Sequence, residues 1–299
     1  VACDGEPGPR ATDRVGLGWR GELAAGIFAH LDRIDLVEVI ADEHFRASAK
    51  DLRPLKLLAA QLPLTLHGVG LGLAGSEAPP AWRLDAMARL VDALGPQSWS
   101  EHLAFVRAGG FEIGRLAMPP RTPRGVEAAV RHVGHAARIV GRPPLLENIA
   151  TLVEPPGSTL DEASWTGAIV DGSGAPMLLD LHNLYANAVN TDRDPFALLE
   201  AMPLDRVRSV HLSGGHWIDE PALGGAARRQ RLLDDHVHDV PAVVFALLER
   251  LGTHARNPLD VIIERDGSYP AFEVLLAQVD AARGALALGR ATAAAAALR

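Results

Sequence analysis

Cysteine is almost missing: Cys3 stands alone among 299 residues. A lone thiol excludes an internal disulfide and any thiolate cage around a metal. Metal binding in this chain therefore has to use imidazole, carboxylate and amide oxygen, and Cys3 itself reads as a free thiol on a loose segment. No uninterrupted apolar run reaches membrane-spanning length, so no membrane association is expected. A basic stripe is missing as well. Lys and Arg are dispersed and the formal net charge is −8, which argues against nucleic acid as a partner. The opening VACDGEPGPRATDR lacks the basic-then-apolar layout of a secretory signal, and a cytoplasmic location is expected. Residues 1–14 read as a flexible leader rich in Gly, Pro and charge.

What is present is a rhythm. Short apolar, β-branched runs alternate with stretches of helical period, the pattern of βα units and a parallel sheet. The predicted strands are 15–19, 36–40, 64–68, 98–105, 144–148, 176–183, 207–214 and 260–266. Segments such as AWRLDAMARLVDAL and PAVVFALLERLG supply helices between them. Eight such units predict an α/β fold of the (β/α)8 TIM-barrel type over residues 15–284. The Ala-rich stretch 285–299 reads as a tail or helix. Long connections at 109–122 and 215–240 are placed to form walls or lids of an active site.

Polar residues interrupt these strands mainly near their C-terminal ends. His67 closes the third, Glu101 and His102 sit in the fourth, and Glu147 and Asn148 close the fifth. Asp180, His182 and Asn183 close the sixth, His211 lies on the seventh and Glu264 on the eighth. In a parallel barrel these ends converge on one mouth. Each group alone has a bland explanation. His67 could be a hydrogen-bonded core histidine, Glu147-Asn148 could pin loops, Asp180-Leu181-His182-Asn183 could cap a helix, and 234–239 could be a solvated loop. Together they would bury many ionisable groups, at several kcal/mol for each uncompensated charge. A multivalent cation removes that cost, and the thiolate-free donor set suits iron, manganese or zinc. Asp234 and His236 read as a two-residue clamp, since alternate side chains of an extended segment share a side. His132 and His135 read as outer-surface residues of a helix.

The segments VGLGWR, LHGVGLGL, SEHLAF, LLEN, LLDLHNLYANAVN, HLSGGHW, DDHVHD and IIERD, in this order, resemble the multinuclear non-heme iron-dependent oxidases. The likeness runs from about Val15 to about Leu276. It implies a barrel like those of xylose isomerase and endonuclease IV, holding two or three irons in mixed Fe(II)/Fe(III) states. It also implies dioxygen as co-substrate and a ribosomally made precursor peptide, modified at cysteine, as substrate. Carried over residue by residue, it gives His67, His102, Glu147, Asp180, Asn183, His211, Asp234, His236 and Glu264 as metal ligands. Glu101, Asn148, His182, Asn187, His216 and His44 fall to supporting or substrate contacts. A separate peptide-recognition protein is the expected partner. The competing reading is a divalent-metal hydrolase or isomerase on the same barrel, which the acidic charge and the lack of a recognisable isomerase lysine disfavour.

Overall fold

A computed structural model describes residues 12–219 and 230–298. Cys3, expected as a free thiol, and most of the expected leader lie outside the described residues, and Arg14 already opens the first strand. Eight parallel strands close a barrel: β1 (Arg14–Gly18), β2 (Val37–Ile40), β3 (Leu64–Gly68), β4 (Trp99–His102), β5 (Leu145–Glu147), β6 (Met177–Asp180), β7 (Val207–Leu212) and β8 (Asp260–Ile263). Neighbours in sequence are neighbours in the sheet, and β1 joins β8 with Arg14 opposite Asp260. Among the described residues, no helix is long and apolar enough to cross a membrane.

The apolar core lies between the strands and the surrounding helices. The helix Pro123–Val140 illustrates why these segments wind. Thr122 caps its first turn by accepting from the Gly125 amide, a proline occupies its start, and Gly141 at φ 86° ends it. Ala129, Val133, Ala136 and Val140 recur at helical spacing on its buried face. His132 shares that face and directs Nδ1 toward the Leu73 carbonyl at 3.2 Å. It is not an outer-surface residue: the buried stripe is wide enough to include it. His135 is only half-buried.

The expected strand ends need correction in two places. The fourth strand stops at His102, and Phe105–Ala108 begins a separate antiparallel hairpin with Phe111–Ala117. The sixth stops at Asp180, whose carboxylate accepts from the Asn183 amide at 2.7 Å and caps the helix Leu181–Asn190. His182 and Asn183 are therefore first-turn helix residues. The connection after β7 is also a hairpin, with Gly215–Asp219 paired to Gln230–Asp234. Both long connections thus carry strand pairs that rise over the barrel mouth.

One glycine is demanded by proximity. A Cβ built on Gly16 would stand 1.9 Å from the Leu36 carbonyl oxygen, where the chain enters β2. Gly16→Ala is expected to cost about 1–3 kcal/mol, the range for overpacking a well-filled site. A thermal melt should show a drop of several degrees, and an unchanged midpoint would contradict this.

Candidate metal centre

Strand side chains alternate with period two, so Thr65 and His67, Ser100 and His102, and Ser209 and His211 share the inner side of the sheet. Contacts across the barrel prove it. The rings of His67 on β3 and His211 on β7 are 5.2 Å apart although these strands are not neighbours. His211 Nε2 also lies 2.9 Å from Glu38 on β2.

Glu147 is the hub. One of its oxygens lies 3.5 Å from His67 Nε2 and 3.4 Å from His102 Nε2. The other lies 3.4 Å from His211 Nδ1. Three donor groups follow one another, His67, His102 and Glu147; Glu147, Asp180 and His211; Asp180, His236 and Glu264, and Glu38, His67 and His211 form a fourth beneath them. Glu147 and Asp180 each belong to two of them. Ligands held about 2.0–2.2 Å from a common ion stand roughly 3 Å apart, so these separations match the edges of coordination shells.

The hydrogen-bond inventory agrees. Glu147 Oε2, Asp180 Oδ2, Asn183 Oδ1, both nitrogens of His211, His236 Nε2, Glu264 Oε2 and Glu38 Oε1 are buried without a hydrogen-bond partner. So many unpaired polar atoms facing one another would be costly unless cations lie among them. The opposite edges of the imidazoles are held. His67 Nδ1 meets Ser100 Oγ at 2.8 Å, His102 Nδ1 the Gly68 carbonyl at 3.2 Å, and His236 Nδ1 the Asp266 carboxylate at 3.0 Å. With those nitrogens as donors, each Nε2 lone pair is turned toward the cluster, the usual outer-sphere device of metal sites.

Charge is distributed unevenly. Burial holds His67 below the ordinary histidine range. Burial opposes protonation of His102 too, but Glu147 and Glu101 override it and raise its pKa to about 9. His211 and His236 are held well above the usual range by Glu264 and its carboxylate neighbours, again against burial. Burial and the neighbouring Asp234 and Glu147 keep Asp180 well above a normal carboxylate. Asp234 goes the other way: burial would raise it, but the hydrogen bond from His182 and the charge of the neighbouring His236 hold it at about 2.

The other expected residues divide into those that join the cluster and those that brace it. Asn183 turns its unpaired amide oxygen to the cavity while Nδ2 donates to the Asn148 carbonyl. Asn148 exchanges hydrogen bonds with the Asp180 backbone at 2.9 and 3.0 Å. Asn187 accepts from the Thr151 amide and donates to the Ile149 carbonyl and to Glu162, fixing the wall at 149–151. His182 donates to Asp234 at 2.8 Å. Glu101 accepts from the Leu71 and His102 amides.

His44 lines an adjoining hollow of about 690 Å³ with Trp19, Arg20 and Asp266, and His216 lies in a separate group with Asp235 and His238. The clamp geometry expected for Asp234 and His236 needs correction: Asp234 ends a strand, and His236 has φ 55°. A left-handed turn, not strand alternation, brings His236 Nε2 to 2.8 Å from Asp234. Glu38 and Asp266 were not anticipated. Glu38 is an isolated charge inside an apolar strand, on the inner parity of β2, and that was its available signal.

Above the cluster lies a cavity of about 350 Å³. Its floor is His102, Glu147, Asn183, Asp234 and His236. Its walls are Arg115 and Leu116 from the first hairpin, Leu232 and Leu233 from the second, and Ile149 to Leu152. Polar donors below and largely apolar walls above, with Arg115 among them, are the make-up of a ligand pocket.

Comparison with known proteins adds the following. A family described as "RiPP precursor modification enzyme MbnB/TglH/ChrH", acting on ribosomally synthesised and post-translationally modified peptides, matches residues 14–287. A UPF0276 protein of Bordetella bronchiseptica is 32% identical, covering 96% of this chain and 98% of its own. One from Caulobacter vibrioides is 30% identical, covering 93% and 96%. Another, from Streptomyces avermitilis, is 34% identical over 86% of this chain, which spans only 51% of that longer relative. Among solved structures, endonuclease IV from Thermus thermophilus superposes with TM-score 0.56 at 19% identity, over 91% of this chain and 98% of that one. A xylose isomerase domain protein from Alicyclobacillus acidocaldarius gives 0.57 at 17%, over 94% and 100%. These structural likenesses establish the xylose-isomerase-like barrel.

Proposed function

The chain belongs to the MbnB/TglH/ChrH family of RiPP precursor modification enzymes, and on that footing we propose that it is an iron-dependent, dioxygen-using oxidase that modifies cysteine in a precursor peptide. The observation that carries the metal part is the set of buried, partnerless donor atoms spread over three linked groups. They fit two or three irons. His67, His102 and Glu147 would hold one; Glu147, Asp180, Asn183 and His211 a second; Asp180, Asp234, His236 and Glu264 a third. When bound, the irons supply dioxygen activation and a Lewis-acidic seat for a thiolate.

The protein's own share is positional. Glu147 and Asp180 each face two donor groups and so fix the spacing between ions. Ser100, Gly68 and Asp266, by accepting from Nδ1, would hold three imidazoles with Nε2 free for metal. Glu38, behind His211, would orient that ring. The hairpin arms would shield the cavity from water once a peptide is seated, with Leu116, Ile149 and Leu232 packing against it. In this reading the barrel of 15–284 is the catalytic unit, a separate protein presents the precursor, and the work is done in the cytoplasm.

Two measurements test the proposal. Protein purified without oxygen should contain iron. With the precursor and its presenting partner, a mass change should appear only when oxygen is admitted. Product formed in strict anaerobiosis would end the oxidase reading. Zinc or manganese, with peptide-independent hydrolysis or epimerisation, would favour the metal hydrolase or isomerase instead.

A further inference from the structure

The short segment that supplies Asp234 and His236 to the mouth carries a second donor set on its other side. His216, on the strand Gly215–Asp219, brings Nδ1 to 2.5 Å from Asp235 Oδ2. His238 brings its Nδ1 to 2.9 Å from the same oxygen. The ring centroids are 5.4 Å apart and the planes tilted by 41°. Asp235 Oδ1 accepts from the Val237 amide at 3.0 Å, which fixes the carboxylate's orientation. One donor atom from each residue lies within 4.8 Å of the other two.

We propose that His216, Asp235 and His238 form a second, peripheral site for a first-row divalent transition cation, distinct from the barrel centre. Two imidazoles and one carboxylate gathered within 4.8 Å of one another are a common protein ligand set for such ions. Imidazole nitrogen discriminates against calcium and magnesium, which take oxygen ligands. The two histidine side chains are 43% and 51% exposed and Asp235 only 14%. The carboxylate is thus sheltered while the imidazoles face solvent, leaving room for water to complete the shell. An ion here ties the base of the second hairpin to the turn that holds Asp234 and His236. The site rests on its own three residues and does not depend on which metal fills the barrel.

The test is a Zn(II) titration of the full chain with its barrel centre already loaded, followed calorimetrically and by metal analysis after desalting. Wild type should take up one further zinc per chain while keeping its resident metal, and Mg(II) should give no heat. The paired change His216→Ala with His238→Ala should abolish that uptake. Asp235→Asn should weaken it by about tenfold or more. His238→Gln, a milder change at an exposed position, should also lose it. No additional zinc in wild type, or equal zinc in the histidine variants, would overturn the proposal.

Discussion

Glu147→Gln is expected to lose more than half of the bound metal and to lower turnover by roughly a thousandfold, about 4 kcal/mol of barrier. Gln keeps the volume and one oxygen but removes the negative charge and the second anionic donor. Glu147 meets three imidazoles at 3.4–3.5 Å through both oxygens, so no other side chain can take over both of its contacts. Residues that merely orient ligands already cost 10–100-fold when removed, so a carboxylate shared by two donor groups must cost more. The exposed Glu127→Gln is the control, and it should retain both metal and activity. A Glu147→Gln protein with full metal content and near-normal turnover would displace Glu147 from the centre.

The second large effect is proton release on metal binding. Without metal near neutral pH, His102, His211 and His236 are held protonated and Asp180 is raised toward its neutral form. A metal needs neutral imidazoles and ionised carboxylates, so at least about two protons must leave as it binds. Apparent affinity should then rise by about a hundredfold or more for each pH unit between pH 6 and 8. Calorimetry in buffers of different ionisation heat counts the protons directly, and a count near zero would refute this account.

The stability of the metal-free chain runs the opposite way. His102 has a folded pKa of about 9, above its ordinary 6.5. The stability it adds is fully present below about 6.5 and disappears as pH rises through about 9. Metal at a thousand times its dissociation constant adds about 4 kcal/mol. Chelation should therefore lower the melting temperature more at pH 8 than at pH 6.

The sequence disclosed the fold because each barrel strand is a short apolar run ending in a polar residue, and few other architectures repeat that eight times. Donors at strand ends were legible for the same reason. Glu38 was hidden because it sits inside such a run, where its inner parity matters more than its place along the strand. His182 and Asn183 leave the strand because Asp180 both ends it and caps the next helix, the role that the Asp-Leu-His-Asn run itself suggested and that hydrophobic period alone does not reveal. The turn at His236 could not be read at all: its positive φ is set by surrounding contacts, not by a glycine. His132 departs from the expected outer surface because the buried stripe of its helix is broad enough to take in a hydrogen-bonded imidazole.

The donors are scattered along most of the chain, from Glu38 on β2 to Glu264 just beyond β8. His67, His102 and Glu147 sit at the ends of the adjacent strands β3, β4 and β5, and Asp180 and His211 follow on β6 and β7, so two of the three groups can assemble before β8 is in place. Only the group of Asp180, His236 and Glu264 must wait for the last strand. An ion in that group would join the end of the chain to its middle, a late lock on the completed circle.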